Sequence, residues 1–138
     1  MKKIIFLAFA FFAIQIVSAQ EQISQPKDAI SQSEDKVYEF TEPDVKPKYP
    51  GGMEGLYKFM IKNFQQPNKE GLYGKVIPTF IVETDGSISD IKILKDVGYG
   101  SVEEAIRVLK KSGKWIPAEI NGQKVRCLAS LSITVNTR

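Results

Sequence analysis

An α+β domain, a three-stranded antiparallel sheet packed by two helices in the order α-β-β-α-β, follows from three stretches of this sequence. Lys75 to Lys95 reads as two runs rich in Val, Ile, Phe and Thr on either side of Thr84-Asp85-Gly86-Ser87. Asp-Gly is a strong tight-turn signal because glycine takes a positive φ without steric cost, so the stretch predicts a β-hairpin. From Val125 to Val135 apolar and polar residues alternate, as in a strand with one buried face. Val102, Ala105, Ile106 and Leu109 fall at i, i+3, i+4 and i+7, one face of a helix. A lone hairpin is marginal in water, so the helix and the last strand are what it must pack against.

The 138 residues suit one domain with some chain to spare. Met1-Lys2-Lys3, the apolar run Ile4 to Val17 and then Ser18-Ala19 predict a secretory signal over residues 1–19. An uncleaved inner-membrane anchor is the alternative. It is disfavoured because a span needs about 20 apolar residues, and this run is shorter and carries Gln15. No cysteine lies near the cleavage region to carry a lipid. After cleavage no membrane span is expected, and the expected location is the periplasm.

Residues 20–50 turn to Gln, Ser, Glu, Asp, Lys and Pro without sustained periodicity, a disordered or extended arm. Its 4 lysines face 7 acids, whereas residues 51–138 carry 13 basic against 9 acidic residues, so a weak attraction between arm and domain is available, although a solvated tether is the favoured reading. Val37, Tyr38 and Phe40 are the arm residues expected to touch something. Pro47-Lys48-Tyr49-Pro50-Gly51-Gly52 marks the boundary of a domain over 51–138.

Within that domain Met53, Leu56, Met60 and Phe64 form one helical stripe, with Phe59 beside it and Glu54, Lys58 and Lys62 pointing away; Pro67 ends the helix. In the hairpin, Pro78 cannot donate to a ladder, which predicts an irregularity at Ile77 to Thr79. Ile88 is out of phase with Ile91 and Ile93, which predicts a bulge near Ser89-Asp90. Ser101 with Glu104 three residues on predicts a capping box opening the second helix, which Gly113 closes. Trp115 is an aromatic anchor, and Asn121-Gly122 a hairpin-grade turn. Cys127 falls on the apolar face of the last strand and reads as a buried small hydrophobe.

Histidine is absent and Cys127 is the only cysteine, so the usual ligand sets for zinc, haem and iron-sulfur clusters cannot be assembled within this chain, and Ser-His and Cys-His catalysis are excluded. No cofactor or metal is expected. A net charge of +3 gives no argument for nucleic acid. Asp85, Asp90 and Asp96 are accounted for by turns and strand ends, and the chain is expected not to be an enzyme.

In their order these features resemble the C-terminal domain of the TonB family. The residues that carry the likeness are Lys46-Pro47-Lys48-Tyr49-Pro50-Gly51-Gly52, Gly74-Lys75-Val76, Phe80 to Ile88, Asp90-Ile91-Lys92-Ile93-Leu94, Glu104 to Leu109, and Trp115-Ile116-Pro117-Ala118 with Gly122 and Val125. The Pro-Gly-Gly lead-in is similar to that of small Bacteroidetes-type envelope members. The resemblance covers about two-thirds of the chain. It implies a Gram-negative cell-envelope protein that binds an extended segment, the TonB box, of outer-membrane receptors by adding it as a strand to the edge of the last strand, in support of TonB-dependent transport. The corresponding residues are Arg126, Leu128, Ser130, Ser132 and Thr134. The partner would be an outer-membrane TonB-dependent receptor or another envelope protein. A self-associating structural or regulatory protein, pairing as a homodimer through the same edge, is the alternative. The chain departs from the energy-transducing members in lacking their functional histidine and long proline-rich spacer.

Overall fold

The computed structural model describes residues 35–138. The expected signal and the first part of the arm lie outside the described residues. The elements in chain order are β1 (Val37–Tyr38), α1 (Gly52–Asn63), β2 (Tyr73–Val82), β3 (Ile88–Lys95), α2 (Ser101–Lys111), β4 (Ala118–Ile120), β5 (Gln123–Ser130) and β6 (Ile133–Asn136). The α+β class and both helices are as the sequence predicts. The sheet is not the expected three-stranded antiparallel one: it has six strands and is mixed, because β1 pairs in parallel with β5.

The long β2 is the spine, pairing with β3 on one side and with β5 and then β6 on the other. Its even-numbered side chains Val76, Pro78, Phe80 and Val82 are fully buried. They pack under Leu56 and Met60 of α1 and under Ala105 and Leu109 of α2, with Trp115, Ala129, Ile133 and Val135 completing the core. Each fully buried Val, Leu, Ile or Phe among them contributes about 1.5–3 kcal/mol by leaving water. Phe80 meets Trp115 edge-on at 5.1 Å, and Trp115 meets Tyr49 at 5.4 Å.

Both predicted irregularities of the hairpin are present. The register shifts between Ile77 and Pro78 and again between Thr79 and Ile81, each time with the extra residue on β3. Asp90 takes φ 48° at the second shift. That bulge brings Ile88 into phase, so that Ile88, Ile91 and Ile93 all pack on the core. At the hairpin tip Trp115 N–H donates to Gly86 O at 2.8 Å, and a Cβ on Gly86 would lie 2.1 Å from Trp115 O, so only glycine fits. Asn121 and Gly122 both have positive φ, as the two-residue turn between β4 and β5 requires.

Three local expectations are corrected. Met53 is exposed, not part of the buried stripe, because α1 turns Leu56, Phe59 and Met60 inward. Ser101 is not the N-cap: Gly100 holds that position with φ 80°, and Ser101 is buried inside the first turn, its Oγ accepting from Val97 N–H at 3.3 Å. Glu104 consequently turns toward the end of α1 instead of back to its own helix start. It accepts from Gln65 N–H and pairs with Arg107, which also donates to Asn63 O, tying the end of α1 to α2. In α2 the buried face includes Val108 besides Ala105 and Leu109.

From Asp35 to Pro50 the arm is not a solvated tether but is attached, extended except for a turn at Glu39 to Glu42. Val45 bridges Glu119, Lys48 bridges Ile116, and Asp44 accepts from Asn121 N–H at 2.9 Å. No helix among the described residues is long and apolar enough to cross a membrane.

Candidate functional site

The last strand is split into β5 and β6, yet its register against β2 never slips. Cys127 faces Val82, Ser130 faces Thr79, Ile133 faces Val76 and Asn136 faces Tyr73, a constant offset throughout. The split has a single cause. Leu131 N–H donates to Pro78 O at 3.1 Å, and Pro78 has no N–H to return to Leu131 O. The ladder opens there while the strand continues.

That one bond also fixes which backbone groups face outward. In an antiparallel pair the residues that exchange bonds with the partner alternate with those that point away. Since Leu131 bonds to β2, so do Cys127, Ala129, Ile133 and Val135. Leu128, Ser130, Ser132, Thr134 and Asn136 direct their N–H and C=O groups away from β2, along the outer edge.

The five candidate residues therefore share the outer edge but not its exposure. Val37 and Tyr38 of β1 pair with Arg126 and Cys127, which covers the edge at Arg126 and up to Leu128. Arg126 is further engaged with Glu83, through Nε at 2.6 Å and Nη2 at 3.1 Å, and donates to Asp35 O at 3.0 Å. The Arg126 bonds, with a further one from Ser89, hold the Glu83 carboxyl below its ordinary range against the opposing effect of burial, and Glu83 in turn raises Arg126. Ser130, Ser132 and Thr134 are exposed, and no strand among the described residues pairs with their outward groups.

Beside this open stretch runs a groove of about 860 Å³ between the strand and α1. Its floor includes Leu56, Met60, Phe64 and Trp115, and Met53, Tyr57 and Ile61 line it from the helix. The last three are 78%, 68% and 66% exposed, a large apolar stripe left on the surface. The sequence did signal it: once Leu56 and Met60 are assigned inward, Tyr57 and Ile61 remain four apart with no buried partner. Phe40 stands at one end of the groove and Gln66 at the other.

Cys127 lies wholly inside, its thiol pushed up to about 11 by burial, so it offers no thiolate to a ligand. The three aspartates sit at separate turns. Asp85 bonds Ser87 and Lys114, Asp90 pairs with Lys92, and Asp96 accepts from Gly98 N–H. No cluster able to hold a metal occurs among the described residues.

The family model for the Gram-negative bacterial TonB protein C-terminal matches residues 65–136, which takes in β2 through β6 and the whole outer edge. The chain belongs to this family. TonB C-terminal domains are non-enzymatic and transport-associated, and membership points to the cell envelope, with proteins such as outer-membrane receptors as partners. Neither the curated proteins nor the solved structures searched gave a match. The matched stretch of this TonB-family chain begins after α1, so the helical wall of the groove and β1 lie outside it.

Proposed function

We propose that the protein is a periplasmic TonB-like binding module that recognises extended segments of outer-membrane receptors by strand addition at Ser130, Ser132 and Thr134. The observation that carries this reading is the regularly registered edge, unpaired among the described residues, that lies beside an apolar groove. Backbone groups supply affinity in such an arrangement, and alternate side chains of the added strand supply specificity. Residues two apart on a strand are about 6.8 Å apart, close to the ~6 Å between helix positions four apart. Met53, Tyr57 and Ile61 are thus spaced to meet alternate side chains of a strand lying along the edge.

The test is amide NMR of the protein titrated with peptides from the periplasmic segments of outer-membrane receptors. Shifts concentrated at Ser130 to Val135 are expected, and unchanged spectra at millimolar peptide would sink the reading. Sedimentation addresses the self-associating alternative: pairing of two copies through the same edge makes the apparent mass rise with concentration, whereas a receptor module stays monomeric until peptide is present.

A further inference from the structure

The open edge is closed at both ends by the chain itself. At one end β1 already lies on the outer side of β5, and the turn at Glu39 to Glu42, closed by Glu42 N–H to Glu39 O at 3.1 Å, lifts the chain off the edge, leaving Phe40 at the mouth of the groove. At the other end Asn136 is the next residue whose N–H points outward, and it donates to Gln66 Oε1 at 3.3 Å. Between these stops three residues, Ser130, Ser132 and Thr134, keep both outward groups without a partner among the described residues. β1 is itself an added strand on this edge, so an incoming segment continues a pairing that the fold already makes.

We propose that β1 with Phe40 and the Gln66 side chain act as two register stops that restrict the edge to an extended segment of about five residues facing Ser130 to Thr134, with apolar side chains at alternate positions against Met53, Tyr57 and Ile61. This rests on the strand-addition reading and adds to it a length limit and a fixed frame. A ligand strand longer than the frame gains little from its extra backbone groups, because the next outward N–H groups, at the β1 pairing and at Asn136, are already engaged. Removing one stop makes those partners available at one end only.

The test uses the full chain and three synthetic peptides: acetyl-Thr-Val-Thr-Val-Thr-amide, and versions lengthened by four residues of the same alternation at the N-terminus or at the C-terminus. With the unaltered chain all three should bind within about twofold of one another. Tyr38→Pro takes a backbone N–H out of the two-residue β1 pairing, and Gln66→Ala uncaps Asn136. The groups freed, the Asn136 N–H in one variant and the β1 partners on Arg126 and Leu128 in the other, should let each variant bind one lengthened peptide about fivefold to tenfold more tightly, and the two variants should favour lengthening at opposite termini. Hydrogen exchange gives a second measure: the Leu128 amide should exchange faster in Tyr38→Pro, and the Asn136 amide in Gln66→Ala. If the lengthened peptides bind the unaltered chain as much more tightly as they bind the variants, or if neither variant favours either terminus, the stops do not exist although strand addition does. If no peptide binds any form, the strand-addition reading fails and the stops with it.

Discussion

β3 and the β5–β6 strand flank the long β2, yet β3 slips its register against β2 twice and β5–β6 never does. The outer side of β3 carries two bulges, at Asp90 and at Leu94, with the charged side chains of Asp90, Lys92 and Lys95 along it. Bulges and lysines on a border strand are the usual means of preventing a further strand from joining. On the opposite border the register is unbroken over Cys127 to Asn136, and the outward residues left uncovered are two serines and a threonine. One side of the sheet is protected against pairing by its own geometry. The other is left capable of it and trimmed at its ends.

The strongest way to break this contrast is Ser132→Pro. Ser132 N–H points away from β2, so the fold should lose no more than about 0.5 kcal/mol, while peptide affinity should fall about a hundredfold, measured by calorimetry beside a thermal melt. A comparable loss of stability would show that the edge is not the open one.

Next comes Arg126→Ala. The Arg126–Glu83 pair is only 26% and 22% exposed and fastens the covered end of the edge to β2, so its removal should cost about 2 kcal/mol in denaturant melts and loosen β1. The pair also sets a pH dependence. The Glu83 carboxyl is held below its ordinary value of 4.5 in the folded chain, so its contribution is complete above pH 4.5 and is lost as pH falls through the lowered value. Glu83→Gln should therefore flatten the loss of stability below pH 4.5, and an unchanged slope would remove the pair from the account.

Tyr57→Ser tests the wall. At 68% exposure it should leave the melting temperature in place while weakening an alternating apolar peptide about tenfold. The smallest effect is expected on the protected border. Lys92→Val with Lys95→Val should shift stability by less than about 0.5 kcal/mol, yet raise concentration-dependent association in sedimentation. A variant that stays monomeric would assign the protection to the bulges alone.

The sequence made the contrast partly readable. The clean alternation from Val125 to Val135 showed which residues of the last strand share a face, and because outward backbone groups have the same period, it also picked out Leu128, Ser130, Ser132 and Thr134. The phase error at Ile88 and the position of Pro78 disclosed irregularities on the other border. What did not show was anything too short to have a period. β1 and β4 are two and three residues long, and β1 pairs with chain almost ninety residues further on, whereas β4 pairs across the local turn at Asn121-Gly122. For the same reason the covering of Arg126 could not be foreseen. The helical stripe misled at Met53 because α1 is apolar on two faces, and periodicity alone does not say which one the sheet takes. The capping box misled because Ser101-x-x-Glu104 is satisfied as a pattern, while Gly100 accepts the left-handed conformation that starts the helix one residue earlier.

Trp115 gives the domain a built-in optical reporter. It is the only tryptophan in the chain, its indole N–H donates to Ser112 Oγ at 2.9 Å, and its ring sits between Phe80 of the sheet and Tyr49 of the attached arm. Tyr49 also packs on Phe59 of α1, 5.7 Å away. Fluorescence of this one ring thus registers the arm, the helical wall and the sheet together. A small red shift on loosening the arm, well before the large shift of unfolding, would let the state of the groove be followed without a label.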